Sequence, residues 1–292
     1  MKIGVVFPQT EIGADAARIK SFAQAAEALG YQHLLAYDHV LGASTKNRPE
    51  FAGPYTSSSM FHEVFVLFGY LAGLTESLEF VTGVLILPQR QTVLVAKQAA
   101  EVDRLSNGRL RLGIGVGWNA VEYEGLNENF RDRGKRSEEQ IALMRALWTQ
   151  DVIDFDGRWH RIQEAGINPL PVQQPIPIWI GGYAPATMKR VGRIADGWFP
   201  KSQPGEAPTD EVRSDVANIH ESAIAAGRDP SAIGVEPRIR LSEIPRNQWS
   251  AVTGAWRAAG ATHLSVITMD AGLDVDAQIE QLRDYAETVG LS

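Results

Sequence analysis

The chain has 292 residues, a formal net charge of −7 and no cysteine, which excludes disulfide frameworks, thiol nucleophiles and thiolate metal sites and suits the reducing cytoplasm. The negative charge argues against nucleic acid as a partner, because non-specific binding to nucleic acid needs clustered positive charge. No apolar run approaches the roughly 20 residues of a membrane span, and the five-residue apolar run at the amino terminus is far shorter than the apolar core of a signal peptide, so we expect a cytoplasmic protein without a membrane contact.

Short apolar runs alternate with longer segments of helical period along the chain. The first strand is predicted over residues 3–7, and the helix after it places Ile19, Phe22 and Ala26 on one face before Gly30 ends it. Further strands are predicted over residues 33–36, 79–84, 109–115, 176–181, 196–199, 233–238 and 263–267. Further helices are predicted over residues 61–73, 92–105, 135–148, 185–194, 209–226, 249–259 and 274–289.

Eight strand–helix units predict a mixed α/β fold, a (β/α)8 TIM barrel formed by a single domain over residues 1–292. A doubly wound open sheet is the alternative. Three segments exceed the usual length of a connection and predict loop insertions at the C-terminal face: 40–60, 116–134 and 150–175. The sequence SEEQ at 137–140 resembles a capping box at the start of a helix.

The carboxyl ends of the strands should carry the chemistry, because active sites of such barrels lie at that face. Asp38 and His39 follow the second strand. Histidine can give or take a proton near neutral pH, and a neighbouring carboxylate can orient it. Adjacent residues of an extended segment point in opposite directions, however, so the alternative is that Asp38 caps a turn and His39 is a loop residue.

Glycines follow two other strands. The sequence GIGVG at 113–117 lacks the G-x-G-x-x-G spacing of a dinucleotide fold, but its glycines would let a flat ligand lie against the backbone; a tight bend is the alternative. Gly181 and Gly182 end the fifth strand, and the next helix opens at Pro185. Amides in such a turn, backed by a helix amino terminus, can bind a phosphate, although an ordinary turn would also explain them.

Other kinds of site find little support in the sequence. The chain has no G-x-S-x-G elbow and no P-loop, and its six histidines are scattered without the spacing of a zinc site, so no metal is expected. His33 and His263 begin strands and are predicted to be structural. Lys201 is the one lysine near a strand end, which argues against a barrel isomerase or aldolase.

Taken in order, YDHVLG, TGVLILPQRQ, LGIGVGWNAVEYEG, RDRGKRSEEQIALMRALW and PIPIWIGGYAPATMKRVGRIADGWFP resemble the luciferase-like flavin and deazaflavin oxidoreductase family. The resemblance implies a barrel that binds FMN or coenzyme F420 with the tricyclic ring over its mouth. It further implies a non-prolyl cis peptide that supports the ring, backbone that lines the ring, and a turn that receives the phosphate. The implied cis peptide lies between Gly83 and Val84. The backbone that would line the ring is that of Gly115, Val116 and Gly117. The turn that would receive the phosphate contains Gly181 and Gly182.

Asp38 and His39 coincide with the pair that deazaflavin-dependent members of the family place beside the reactive ring carbon, which favours coenzyme F420 over FMN. Trp118 stands where some of these enzymes carry a glutamate acid. His39 is therefore the candidate proton donor, with Asp38 orienting it or hydrogen-bonding the ring. We expect an oxidoreductase that moves a hydride between F420 and a small organic substrate held under the 40–60 loop.

Two alternatives stay open at this point. The first is an FMN-dependent monooxygenase that uses O2 and draws reduced flavin from a partner reductase, and the second is a flavin-binding protein without turnover. Phe51, Tyr55, Phe61 and Trp118 are the aromatic residues expected to wall the substrate site. Apolar surface on the second and third helices predicts a homodimer.

Overall fold

The computed structural model describes residues 1–201 and 207–291. The strands are β1 (Lys2–Val6), β2 (His33–Ala36), β3 (Glu79–Thr82), β4 (Leu85–Ile86), β5 (Leu110–Gly115), β6 (Ile153–Asp156), β7 (Arg161–Ala165), β8 (Ile178–Gly181), β9 (Gly197–Phe199), β10 (Gly234–Val235), β11 (Arg238–Arg240) and β12 (His263–Ile267). The helices are α1 (Ala16–Ala28), α2 (Val64–Ala72), α3 (Thr92–Leu105), α4 (Ala120–Gly125), α5 (Arg133–Thr149), α6 (Pro185–Ile194), α7 (Asp210–Ala225), α8 (Trp249–Ala258) and α9 (Val275–Val289).

A single curled parallel sheet forms the centre of the molecule. Its order is β10-β9-β8-β5-β3-β2-β1-β12-β11, with β4 paired to β5. The two end strands are separated in the chain only by Glu236 and Pro237, and backbone hydrogen bonds join Glu236 N to Trp198 O and Ser265 N to Pro237 O, both at 3.0 Å. The two edges of the sheet therefore meet along one stretch of chain, where the strand ladder is interrupted.

Strands β3 and β4 together form one interrupted strand of the barrel, and β10 and β11 together form another. Counted in this way, the central sheet has eight strands. These strands match the eight predicted strands, and the mixed α/β barrel architecture is confirmed. The interruption between β3 and β4 contains the Gly83–Val84 peptide, which is cis as the resemblance implies.

The regular helices follow from local sequence signals. In α1, for example, the Asp15 side chain accepts a hydrogen bond from Ala17 N at 2.9 Å and caps the helix. Ile19, Phe22 and Ala26 then recur at helical spacing and are buried against the sheet. The helix therefore covers one side of the barrel, as its sequence pattern predicts.

Three features were missed or misplaced by the sequence analysis. The 150–175 segment contains an antiparallel hairpin of β6 and β7, whose residues are mostly exposed and so lack an apolar run. The 116–134 segment contains the short helix α4. The SEEQ prediction was wrong, because α5 already begins at Arg133 and the Ser137 hydroxyl donates to Gly134 O at 2.8 Å within the helix.

A polar cluster, defined as His33, Glu79, Arg111, Glu236 and Ser265, fills the amino-terminal half of the barrel interior. The Arg111 guanidinium bonds Glu79 Oε1 at 2.5 Å and also bonds Glu236. Glu236 Oε1 accepts from the Ser265 hydroxyl at 2.6 Å and lies 2.9 Å from His33 Nε2. Burial alone would raise the pKa of Glu236, but Arg111 and these donors hold it well below its usual range.

His33 and His263 are structural, as predicted. His33 is fully buried in the polar cluster, and the ring of His263 packs on it at 5.7 Å between centroids. Burial, with the charges of Arg111 and His33, lowers the pKa of His263 to about 3. Neither residue lies at the carboxyl face of the barrel, where the candidate site is.

Candidate functional site

The carboxyl ends of β2 and of the β3–β4 strand run side by side at the barrel mouth. Gly83 N donates to Ala36 O at 2.7 Å, and Ile86 N donates to Asp38 Oδ2 at 3.1 Å. The other Asp38 oxygen accepts from Arg90 at 2.7 Å. Burial raises the pKa of Asp38, and Arg90 together with the Ile86 N–H opposes that rise. Asp38 thus links two strand ends through an ion pair and a backbone hydrogen bond.

His39 points into a group of aromatic rings. Its imidazole centroid lies 4.8 Å from the ring of Phe61, 5.2 Å from Tyr55 and 5.7 Å from Trp118. Phe51 extends the group by packing on Trp118 at 6.0 Å. The four aromatic residues named from the sequence therefore do come together around His39. Within the described part of the chain, Nδ1 is the ring nitrogen of His39 that has a hydrogen-bond partner.

The partner of His39 is Glu122, a residue of α4 that the sequence analysis did not single out. Glu122 Oε2 lies 3.2 Å from His39 Nδ1, and Oε1 accepts from Val40 N at 2.6 Å and Leu41 N at 3.1 Å. The Glu122 side chain is 1% exposed. Burial alone would raise the pKa of Glu122, but the hydrogen bonds from His39, Val40 N and Leu41 N lower it below its ordinary value.

The structure thus corrects the hypothesis that Asp38 orients His39. The carboxylate that holds the imidazole is Glu122, whereas Asp38 bonds Arg90 and Ile86 N. The sequence offered one weak signal for Glu122, its position three residues after Asn119, whose side chain caps α4 by accepting from Val121 N at 3.2 Å. Glu124 is also acidic and lies on the same helix, so the sequence does not indicate which of the two glutamates contacts His39. The packing of α4 in the fold determines that it is Glu122.

The glycines of the predicted ring-binding region have a packing role that the sequence did not reveal. A β-carbon at Gly115 would lie 2.5 Å from Val84 Cγ2, and one at Gly181 would lie 2.8 Å from Val84 Cγ1. The side chain of Val84 therefore fits between these two glycines. Val116 O accepts from the Tyr123 hydroxyl at 2.8 Å, which fixes the backbone next to Gly117. The structure brings all of these positions to one rim of the barrel.

The turn after β8 exposes backbone donors in front of α6. Gly182 has φ +138°, a conformation that L side chains rarely adopt, and its carbonyl accepts from Trp198 Nε1 at 2.8 Å. Helix α6 begins at Pro185, as predicted. Among the described residues, no acceptor pairs with the N–H groups of Tyr183 and Ala184. The Lys201 ammonium adds positive charge beside this turn, 5.3 Å from the ring centre of Tyr183.

The 40–60 loop leaves a cavity beside His39 instead of filling it. The cavity has a volume of about 270 Å³. Its lining combines the imidazole with two aromatic rings and several hydroxyl groups: His39, Val40, Leu41, Gly42, Tyr55, Thr56, Ser57, Ser59 and Phe61. A space of this size accommodates a small organic molecule, and the imidazole is the ionisable group in its wall that can exchange a proton near neutral pH.

Over residues 1–201 and 207–291, no group of three or more His, Cys, Asp or Glu side chains is arranged to hold a metal ion. In the same residues, no helix combines the length and apolar character needed to cross a bilayer.

Comparison with known proteins identifies relatives of two kinds. A model of the luciferase-like monooxygenase family matches residues 1–248. The F420-dependent glucose-6-phosphate dehydrogenase of Nocardia farcinica is 36% identical over 174 residues, which cover 58% of this chain and 51% of the relative. The FMNH2-dependent dimethylsulfone monooxygenase of Pseudomonas fluorescens is 30% identical over 209 residues, which cover 70% of this chain and 54% of the relative.

Among solved structures, an F420-dependent secondary alcohol dehydrogenase in complex with an F420-acetone adduct is similar over almost the whole chain. The TM-score is 0.78 at 16% identity, and the match covers 99% of this chain and 98% of the other. At this identity the similarity shows a shared fold.

Proposed function

Because the chain belongs to the luciferase-like monooxygenase family, whose relatives include both F420-dependent and FMNH2-dependent enzymes, we propose that it is an F420-dependent oxidoreductase acting on a small organic substrate. The observation that carries the choice is the imidazole of His39, held by a buried carboxylate in an aromatic pocket at the barrel mouth. A positioned imidazole suits a reaction in which a substrate oxygen exchanges a proton while its carbon exchanges a hydride.

The residues present at the rim fit such a cofactor. The N–H groups of Tyr183 and Ala184, the amino terminus of α6 and the Lys201 ammonium together form a donor set suited to a phosphate. Gly181 and Gly182 would carry this turn. The partly exposed Val84, with Gly83 and the backbone of Gly115, Val116 and Gly117, would support the ring. These assignments rest on donor chemistry and on the shape of the rim.

His39 would hold and move the proton in this reaction. When bound, F420 supplies a central ring carbon that gains or loses a hydride. With a substrate alcohol, His39 Nε2 accepts the hydroxyl proton as the carbon-bound hydrogen leaves with its electron pair, so the substrate becomes a carbonyl compound. In the reverse direction Nε2 returns the proton to the carbonyl oxygen. The surrounding aromatic side chains limit water around the reacting groups.

An FMN-dependent monooxygenase is the second candidate, and the Pseudomonas relative favours it. Such an enzyme would use O2 and take reduced flavin from a partner reductase. A binding protein without turnover finds less support, because the 40–60 loop leaves a cavity at His39.

We also propose a cytoplasmic homodimer. The outer face of α2 exposes Val66, which is 72% accessible, and Tyr70, and the first turn of α3 exposes Leu94. Apolar side chains grouped on neighbouring helices are typical of a surface that a second subunit covers.

One anaerobic and one aerobic assay distinguish the two enzyme hypotheses. We expect reduced F420 to transfer a hydride to small aldehydes or ketones in single-turnover mixing, and we expect O2 uptake with reduced FMN to be no faster with protein and substrate than with reduced FMN alone. O2 consumption coupled to substrate oxidation with reduced FMN, and no reaction with F420, would reject the F420 proposal in favour of the monooxygenase.

A further inference from the structure

We propose that Glu122 is the positioning residue of the site: it keeps the imidazole proton of His39 on Nδ1, so that Nε2 is the atom that exchanges a proton in the pocket. The role of Nε2 in the reaction rests on the proposed function, whereas the position of the proton on Nδ1 does not. The state of the His39 ring can be measured in the free protein.

The geometry determines which atom carries the proton. An ionised carboxylate can only accept hydrogen bonds, so the His39 nitrogen 3.2 Å from Glu122 Oε2 must be the donor. The other hydrogen-bond partners of Glu122 among the described residues are likewise donors: Val40 N, Leu41 N and the Gln89 amide Nε2 at 3.2 Å. Four donors around one buried carboxylate stabilise its ionised form. The neutral imidazole therefore has its lone pair on Nε2.

Glu122 also joins three loops of the barrel mouth. It contacts His39, Val40 and Leu41 after β2, Gln89 after β4, and lies itself on α4 after β5. Asn119 reinforces the same contact from the start of α4, because its side-chain amide donates to Leu41 O at 3.5 Å. The contact orients the ring because it fixes both the imidazole nitrogen and the backbone that follows it.

The other ionisable groups near His39 lie on its own segment, on the 40–60 loop and after β4. Asp38 is bonded to Arg90 and to Ile86 N. Tyr55 stays neutral near physiological pH, because burial raises its pKa to about 12. Glu122 is therefore the carboxylate that contacts the imidazole.

Glu122→Gln tests the inference, since glutamine is almost the same size. Its carbonyl oxygen can still accept from Val40 N and Leu41 N, while its NH2 group replaces the acceptor at His39 Nδ1. We expect the imidazole proton to move to Nε2, and the rate of alcohol oxidation at saturating cofactor to fall by about a hundredfold or more.

Nitrogen-15 NMR of the imidazole rings decides the question without cofactor or substrate. The signals of His39 are assigned by their absence in His39→Gln. In the wild type at pH 8 we expect Nδ1 to be protonated and Nε2 unprotonated, and in Glu122→Gln the reverse. Glu124→Gln, an exposed change on the same helix, is the control and should leave the ring and the rate unchanged.

Two results would overturn the inference. One is a wild-type His39 with its proton on Nε2, which can be detected even if Glu122→Gln fails to fold. The other is a folded Glu122→Gln protein whose His39 proton remains on Nδ1, which would leave Glu122 a purely structural role. If the ring measurement agrees but neither F420 nor FMN binds, the proposed function fails while the positioning role of Glu122 stands.

Discussion

Replacing His39 with alanine should lower the rate of hydride transfer at saturating cofactor by at least about a hundredfold, the usual scale for a lost acid–base group. The cause is that substrate loses the imidazole nitrogen that exchanges its proton. The dissociation constant for F420 should change by less than about threefold, since the turn at 181–184, which we propose binds the phosphate, lies on another strand end. Stopped-flow absorbance of the deazaflavin measures the rate, and fluorescence titration measures binding.

Two controls make the His39 result specific. His220→Ala changes a histidine of α7 outside the site and should leave the rate unchanged. Added imidazole should partly restore His39→Ala, because a free base can enter the space that the side chain leaves. An unchanged rate in His39→Ala would remove this residue from the mechanism.

Arg111→Leu should destabilise the fold by about 3–5 kcal/mol at pH 7, which is the scale for removing one partner of a buried ion pair. The substitution leaves the buried Glu236 and the partly buried Glu79 without their common cation. Urea unfolding measures the free energy. Arg246→Leu removes the exposed partner of Asp284 and should cost no more than about 1 kcal/mol.

The pH dependence of this loss has a definite sign. Arg111 lowers the pKa of Glu236 in the folded wild type, so the ion pair contributes stability above the unfolded value of 4.5 and loses it as the pH falls. In Arg111→Leu the carboxyl groups gain stability by taking up protons. The difference in unfolding free energy between wild type and variant should therefore shrink from pH 7 to pH 4. A difference that stays small at pH 7 would mean that the polar cluster is not held by Arg111.

The barrel could be predicted from the sequence because its strands and helices carry strong local signals. Apolar runs such as residues 3–7 mark strands that are covered on both faces, and the buried stripe of α1 marks a helix packed on them. The β6–β7 hairpin lacks such a signal because most of its residues face solvent. Helix α4 was missed because six residues are too short to establish a helical period.

The sequence predicted only those site residues whose place in the barrel follows from their position at the end of a strand. His39 was found because it follows β2, and strand ends meet at one face of a barrel. Its partnership with Glu122 joins residues 83 positions apart and depends on how α4 docks, which no local pattern encodes. The same limit applies to Gly115 and Gly181. The absence of a β-carbon at these two glycines leaves space for the Val84 side chain, and this contact depends on how three strands pack together.

Titration of the purified protein with coenzyme F420 and with FMN, followed by ligand fluorescence, tests the central claim most directly. We predict that F420 binds with a dissociation constant in the micromolar range, at least about tenfold tighter than FMN, a difference of about 1.4 kcal/mol. Tighter binding of FMN, or no binding of either ligand below about 1 mM, would contradict the account.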